Sequence, residues 1–549
     1  MSRILTSALI LIAVGGGVSA QQKPPIVPTG DLPLTVAEKS DYTRTATYED
    51  VWAWLEMLAG RSPDLRVESI GVTTEGRRMP LVVASRPLVG DPEQARRSGK
   101  PIFYLQGNIH AGEVEGKDAL LMLLRDLTLG EARSLLDGVI LLVNPIYNPD
   151  GNEKWGPVAR NRGGQDGPEE VGQRPNGMGL DLNRDYIKTE APETRRTLEA
   201  VVNRWSPDLY MDLHTTNGSY HNFDLTYAPC NTPAAPQATV LWTKQVLIPQ
   251  LRARLAGHGH PIFDYGNFGR GTPPTTWTSF GWEPMYGTNY MGTRGMVSIL
   301  SEAVSYRPYR TRVSATYWLL RETIALVGAD PAPMLQRTRR GGADFEAWAA
   351  DPAQAPPLGV RYEAVSRGRE KVNYEIIEPP PEGGRGRGTR TGRLAEAEID
   401  ILTEYRATLE RPFPAGYLVP VAYPEAVQQL LRHGIRVERL KESWTGTASV
   451  FRVDTLTVAQ RSYQGHRQID LQGTWSEAER TAAAGSYWVP AGQPLGGLLF
   501  LMLEPESPDG LVSWNFFDRG ISQRREVPIL KLMAPPKVAR ERVEGPVYR

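Results

Sequence analysis

The stretch that decides the fold is Pro101-Ile-Phe-Tyr-Leu-Gln-Gly107, which is followed closely by His110-Ala-Gly-Glu113. The apolar run predicts a buried strand, which would hold the backbone still where the chain turns out of a sheet. A His and a Glu separated by two residues on such a turn can both point at one metal ion. The motif alone is weak, because seven His and 62 acidic residues in 549 positions give about 0.8 such matches by chance.

Residues 41–330 alternate strand-like and helix-like patterns, which predicts an α/β fold. We expect a mostly parallel mixed sheet with helices on both faces. Ligands in such folds bind beyond the carboxyl ends of the strands, where His110, Asn148, His214 and Glu302 fall. The apolar runs that predict buried strands are 101–107, 139–145, 209–214 and 296–302, and the amphipathic stretches that predict helices are 115–129, 194–205 and 239–255.

The composition of the chain changes after residue 330. Residues 331–410 are rich in Pro and Gly and are predicted to be a connecting region. Residues 411–549 regain strand-like runs, at 417–421, 435–437, 449–453 and 497–502, with one short helix at 424–432 that Gly434 would end. This part is therefore predicted to be a smaller, β-rich accessory domain.

Composition limits the classes of function. A chain of 549 residues is long enough for two or three domains. Its 62 basic and 62 acidic residues balance, so charge gives no reason to expect nucleic acid or an anionic membrane as a partner. Cys230 is the single cysteine, which excludes an intramolecular disulfide and a Cys-rich zinc site, and we expect it to be a buried small residue.

Residues 1–20 have the pattern of a signal peptide. Arg3 gives the positive end, residues 4–14 are apolar, and small residues end at Ala20, which places cleavage before Gln21. No other run is long and apolar enough to cross a bilayer, so no membrane span is expected after signal removal. The protein is therefore predicted to be exported, either periplasmic or secreted, and the lack of disulfides fits a bacterial periplasm or cell exterior.

His214 is the third candidate metal ligand. It ends the strand-like run Asp208-Leu-Tyr-Met-Asp-Leu-His214, about a hundred residues after Glu113. Two ligands close together, a third far along the chain and one open position for water form the usual plan of a catalytic zinc site. Two further motifs lie between them, Asn148-Pro-Asp-Gly151 and Leu180-Asp-Leu-Asn-Arg184.

Taken in order, these motifs resemble those of the zinc carboxypeptidases of the carboxypeptidase A type, the M14 metallopeptidases. The resemblance covers residues 45–330 and suggests an exported bacterial member of that family. It implies that one Zn²⁺ is held by His110, Glu113 and His214. It also implies that Asp181 holds the first His, a role that fits chemically because a carboxylate on the far ring nitrogen fixes the tautomer.

The resemblance further implies the catalytic and substrate-binding residues. Glu302 would be the general base, and a Glu that ends a buried apolar strand is costly unless it is paired or functional. Asn183 and Arg184 would bind the free C-terminal carboxylate of the substrate, for which a guanidinium is well shaped. Arg162 would polarise the scissile carbonyl and Tyr290 would cover the terminal residue, and the alternatives for these two roles are Arg160, Arg174 and Tyr286.

The function predicted from the sequence is therefore that of an exported zinc metallocarboxypeptidase acting on peptides with a free C-terminal carboxylate. One alternative is a zinc-dependent N-acyl amino acid deacylase of the aspartoacylase or succinylglutamate desuccinylase type, which is similar in His-x-x-Glu and Asn-Arg. Another is a non-catalytic binding protein that keeps the metal fold. No sequence pattern specifies the preferred terminal side chain, the role of residues 411–549 or the oligomeric state.

Overall fold

The computed structural model describes residues 31–216, 218–378 and 388–545. The predicted signal peptide lies outside these residues. The strands in chain order are β1 Leu65–Val72, β2 Arg78–Ala84, β3 Ile102–Gly107, β4 Ile140–Asn144, β5 Gly156–Pro157, β6 Glu170–Val171, β7 Leu209–Thr215, β8 Leu225–Pro229, β9 Ile262–Asp264, β10 Asn267–Phe268, β11 Thr276–Thr278, β12 Val297–Ala303, β13 Leu358–Glu378, β14 Thr389–Arg411, β15 Gly416–Val419, β16 Glu438–Leu440, β17 Trp444–Val458, β18 Ile469–Ala482, β19 Tyr487–Pro490, β20 Leu530–Leu532 and β21 Arg540–Arg542.

The helices cover both faces of the central sheet. A 3₁₀ turn at Leu182–Arg184 carries part of the Asp-Leu-Asn-Arg motif, and π-helical turns at Leu198–Asn203 and Thr243–Leu247 extend two of the helices. The α-helices are α1 Val36–Lys39, α2 Tyr48–Arg61, α3 Pro92–Ser98, α4 Glu115–Thr128, α5 Pro149–Asn152, α6 Val158–Asn161, α7 Pro192–Thr197, α8 Gln237–Trp242, α9 Ile248–Gly257, α10 Gly287–Thr293, α11 Tyr309–Ala329, α12 Ala332–Thr338, α13 Ala343–Ala350, α14 Pro424–Arg432 and α15 Gly496–Leu503.

The central sheet has eight strands in the order β1-β2-β4-β3-β7-β12-β8-β9. The middle strands β4, β3, β7 and β12 run parallel to one another, and they pair antiparallel with β2 on one side and β8 on the other. The parallel strands are buried on both faces, which is why they are continuous apolar runs in the sequence. The predicted α/β fold with a mixed sheet and helices on both faces is confirmed.

Alternate residues of β3 point into two different cores. Phe103 and Leu105 pack with α2, α4 and α11 on one face, whereas Ile102 and Tyr104 pack on the other. The core that contains Ile102 and Tyr104 also includes buried residues after residue 411, such as Val427 of α14. The C-terminal region is therefore joined to the α/β part by a shared apolar core.

The structure differs from the predicted connecting region at 331–410. It forms α12, α13 and the long β13–β14 hairpin, which joins β11 of the α/β part through β14. Many of the hairpin's residues are exposed or half-buried on both sides, so it lacks the apolar periodicity that reveals a strand. Residues 379–387, which lie between β13 and β14 in the sequence, are outside the described residues.

A seven-stranded sheet, in the order β18-β17-β20-β15-β19-β16-β21, forms the C-terminal region and confirms its predicted β-rich character. One expectation was wrong: residues 497–502 lie in the helix α15, not in a strand. Every residue of α15 is buried, and a short apolar run buried all round has no periodicity that separates helix from strand. Gly434 follows α14 at φ 79°, a conformation that favours glycine at a helix end.

Cys230 is buried, as expected, and burial raises the pKa of its thiol to about 11. Among the helices of the described residues, none combines the length and apolar character needed to span a membrane.

Candidate active site

The first two candidate ligands lie on the turn that leaves β3. Asn108 begins this turn at φ 66°, a conformation that Asn tolerates better than most residues. Its side-chain amide donates to the backbone carbonyls of Ala111 and Glu113, at 3.1 and 3.3 Å. The backbone N–H of Glu113 donates to the carbonyl of His110 at 2.8 Å, which closes the turn. The loop is thus fixed by its own hydrogen bonds, and His110 and Glu113 are held on the same side.

The third candidate ligand comes close because α4 packs tightly on β7. A Cβ on Gly116 would lie 2.4 Å from the Cβ of Leu213, so only glycine allows this approach. His214 follows Leu213 in the strand. Its Nδ1 is 3.0 Å from Glu113 Oε2 and 3.2 Å from His110 Nδ1. Glu113 Oε1 is 3.1 Å from His110 Nδ1, and one ligand atom from each residue lies within 4.8 Å of the others.

A carboxylate lies close to the far nitrogen of each imidazole. Asp181 Oδ1 is 3.0 Å from His110 Nε2, as the resemblance implies. Asp212 Oδ2 is 2.9 Å from His214 Nε2, a contact that the sequence analysis missed. The signal was present, because Asp212 and His214 are two apart on one strand and side chains at that spacing share a face.

These contacts make the three side chains a fitting zinc site. When both Nε2 atoms donate to carboxylates, both Nδ1 atoms present lone pairs to each other and to Glu113. Three electron-pair donors this close repel each other unless a proton or a cation lies between them. Two His and one Glu are a common ligand set for catalytic zinc, which keeps a further position open.

We expect Asp212→Asn to weaken zinc binding by about 10- to 100-fold, because the variant cannot hold the His214 tautomer as the carboxylate does. The dissociation constant for zinc, measured by competition with a chromogenic chelator, checks this. Asp181→Asn is the matched variant on the other imidazole and should show a loss of similar size. An unchanged zinc affinity in Asp212→Asn would rule out this role.

Glu302 reaches the same site from β12. Its backbone pairs in parallel register with His214 of β7, so the two side chains emerge side by side at the carboxyl ends of adjacent strands. Glu302 lines a cavity together with the three candidate ligands. Burial raises the pKa of Glu302 to about 8, and the nearby His214 and Arg162 offset this effect only in part. A carboxylate with a raised pKa in a cleft can both accept and return a proton near neutral pH.

Asn183 and Arg184 lie on the same cavity. The Asn183 side-chain oxygen accepts from the N–H of Gly287 at 2.8 Å, and its amide nitrogen is 3.5 Å from His214 Nε2. Arg184 donates through Nη1 to the Asn183 carbonyl at 2.7 Å, and its guanidinium lies 4.5 Å from the ring centre of Tyr286. The site therefore has a fixed cation beside the candidate metal ligands.

Arg174 and Arg162 lie at different positions relative to the cavity. Among the described residues, the lining of the cavity includes Arg174 but not Arg162. Arg162 Nη1 is 3.0 Å from Glu113, and Nη2 donates to the backbone carbonyls of Thr215 and Thr216. These contacts join the loop that carries Glu113 to the end of β7. Arg174 bonds to Asp181 through Nε and Nη2 and lies 3.6 Å from Glu113.

Two other predicted or alternative residues lie elsewhere. Arg160 donates to the Trp155 carbonyl at 3.2 Å, in an exposed contact. Tyr290 is fully buried, and its hydroxyl is 2.7 Å from His433 Nδ1 of the C-terminal region, so it packs inside the protein and does not cover the cavity. The tyrosines that line the cavity are Tyr286, named as an alternative, and Tyr265, for which the sequence gave no motif.

The chain is similar to several known carboxypeptidases. The family model of the zinc carboxypeptidases (Peptidase_M14) matches residues 51–260, which include the three candidate ligands. Carboxypeptidase 2 of Trichophyton equinum is 24% identical over 481 residues, covering 83% of this chain and 81% of that protein. Probable carboxypeptidase 2 of Arthroderma benhamiae is 25% identical and covers 89% of each chain. A metallo-carboxypeptidase from Burkholderia cenocepacia aligns with 52% of this chain and 70% of its own, at 18% identity and a TM-score of 0.39.

The fold and the site define a metallopeptidase, a hydrolase that acts on peptide bonds. Residues 51–260 are similar to the zinc carboxypeptidases of the M14 family. Glu302 lies beyond the matched residues, and its place in the site comes from the pairing of β12 with β7.

Proposed function

We propose that the protein is an exported zinc-dependent metallocarboxypeptidase that releases the C-terminal residue of peptides. The observation that carries this proposal is one cavity, lined by His110, Glu113 and His214 together with Glu302 and two arginines. It brings a metal-ligand set, a proton carrier and two cations together. The signal-like residues 1–20 support export.

The reaction follows from the groups in the cavity. His110, Glu113 and His214 would hold a zinc ion, which would supply Lewis-acid polarisation of the scissile carbonyl and would lower the pKa of water. Glu302 accepts the proton of the attacking water and later donates it to the leaving amine, as general base and then general acid. Arg174 stabilises the negative charge that develops on the carbonyl oxygen.

The remaining groups select the end of a peptide. Arg184 binds the terminal carboxylate, a task that suits a planar, permanently charged guanidinium. The Asn183 backbone carbonyl accepts from Arg184 Nη1, and the Asn183 side-chain amide lies 3.5 Å from His214 Nε2. The wall left for the terminal side chain is formed by Tyr265, Phe280, Tyr286, Thr288 and Leu300.

This wall favours an uncharged terminal side chain. In the described part of the lining, the only carboxylates are Glu113 and Glu302, which the reaction already uses. A terminal Lys or Arg would therefore bury its charge without a partner, which is costly. We expect kcat/KM to be higher by about 100-fold for a peptide ending in Phe than for one ending in Lys.

Hydrolysis of two substrate panels tests the proposed function. The zinc-loaded protein is given peptides with free C-termini and, separately, N-acylated single amino acids. The peptidase should hydrolyse the peptides with much the higher kcat/KM. Hydrolysis of the acyl amino acids alone would favour the deacylase, and hydrolysis of neither panel by protein that binds zinc would favour a non-catalytic binding protein.

A further inference from the structure

The hairpin β17–β18 of the C-terminal region reaches the candidate active site with its turn. Residues 463–466 form this turn, and Tyr463 and His466 pair through their backbones at 2.8 and 3.0 Å. Gln464 and Gly465 between them have φ values of 51° and 82°. Positive φ at both central residues is the geometry of the tight turns that join antiparallel strands. For Gln464 it is an uncommon conformation, which indicates that its position is constrained.

Three side chains of the turn bind three positions of the segment 181–190. The Tyr463 hydroxyl accepts from Arg184 Nε at 3.0 Å, and Gln464 Oε1 accepts from the backbone N–H of Asp181 at 2.9 Å. His466 Nε2 is 2.8 Å from Glu190 Oε1. Two of these contacts are made to residues that the proposed function uses, although they lie about 280 positions away in the chain.

A second set of contacts from the C-terminal region reaches Arg184 through Tyr286. Asp509 accepts from the N–H of Met285 and from Trp514 Nε1, the latter at 2.6 Å. Met285 precedes Tyr286, whose ring lies under the Arg184 guanidinium at 4.5 Å. The rings of Tyr463 and Trp514 are nearly parallel, with centres 6.3 Å apart. This ring contact connects the 463–466 turn with the contacts that Asp509 makes.

We propose that the 463–466 turn completes the substrate site, with Tyr463 as the residue that positions Arg184. Tyr463 holds Nε, the Asn183 carbonyl holds Nη1, and the Tyr286 ring fixes the plane. Among the described residues no hydrogen bond occupies Nη2, which is left for the carboxylate of the substrate. This inference rests on the proposed function, because it assigns the C-terminal region a part in binding the terminal carboxylate.

The test is a binding experiment that needs no turnover. In a Glu302→Gln background loaded with zinc, calorimetry gives the dissociation constants of one peptide as the free acid and as the C-terminal amide. Tyr463→Phe should weaken binding of the acid by about 10-fold, because it removes a hydrogen bond to a charged group. Binding of the amide should stay unchanged. Tyr487→Phe, on β19 of the same sheet, is the matched control and should bind both peptides as the parent does.

A double-mutant cycle separates positioning from a general loss of structure. If Tyr463 acts through Arg184, then Tyr463→Phe has no further effect on acid binding once Arg184→Ala is present. Equal weakening of acid and amide, or additive effects in the cycle, would overturn the proposal. Failure of the wild-type protein to release any C-terminal residue would instead refute the proposed function, so the two failures are distinguishable.

Discussion

Glu302→Gln should lower kcat by about 10³-fold, because the amide cannot take the proton of the attacking water or return it to the leaving amine. The change keeps the size of the side chain, and Glu302 is not among the three candidate ligands. The variant should therefore bind zinc as tightly as the wild type. Steady-state hydrolysis of a peptide substrate and a zinc titration on the same sample check both expectations.

Glu193→Gln is the matched control for this change. Glu193 is a buried carboxylate of α7, and burial raises its pKa to about 7. It accepts from the Asn176 side chain at 3.0 Å and does not belong to the lining described for the cavity. Its variant should keep kcat near the wild-type value. A Glu302→Gln enzyme with near-normal kcat would remove Glu302 from the mechanism.

Arg174→Ala should lower kcat by about 10²- to 10³-fold at saturating zinc, because a preorganised charge beside the developing oxyanion is lost. Arg162→Ala should behave differently. Arg162 binds Glu113 and the end of β7, so its loss should weaken zinc binding and lower the melting temperature. Kinetics, zinc titration and thermal unfolding of the two variants, measured side by side, distinguish the two roles.

The opposite pattern would return the carbonyl-polarising role to Arg162. In that case Arg162→Ala would have a much lower kcat and normal zinc affinity, and the kcat of Arg174→Ala would remain close to that of the wild type. Arg174 also bonds to Asp181 through two nitrogens. The zinc titration therefore shows whether any loss in Arg174→Ala comes through His110, which Asp181 holds.

The sequence predicted the parts of the site that lie on regular strands. His214 and Glu302 end buried apolar runs, and parallel pairing brings the ends of such runs together at one edge of the sheet. The same period-two pattern contained Asp212, which was overlooked. Strand geometry thus allows the positions of Asp212, His214 and Glu302 to be predicted from the sequence.

Positions set by irregular backbone could not be predicted in the same way. Arg162 and Arg174 lie on either side of a Gly-rich loop, and their contacts depend on how that loop folds. Tyr290 lies in the buried helix α10, and its hydrogen-bond partner, His433, is distant in the chain. The Tyr463 contact with Arg184 spans 279 positions, and only the packing of the C-terminal region creates it.

The most direct test of the central claim is product analysis by mass spectrometry. The purified protein, with and without zinc, is incubated with one Phe-ended peptide as the free acid and as the C-terminal amide. We expect zinc-dependent loss of the single terminal residue from the acid, and a much slower reaction or none with the amide. Equal cleavage of both forms, cleavage at internal bonds, or intact peptides in the presence of zinc would contradict the assignment of Arg184 and the carboxypeptidase function.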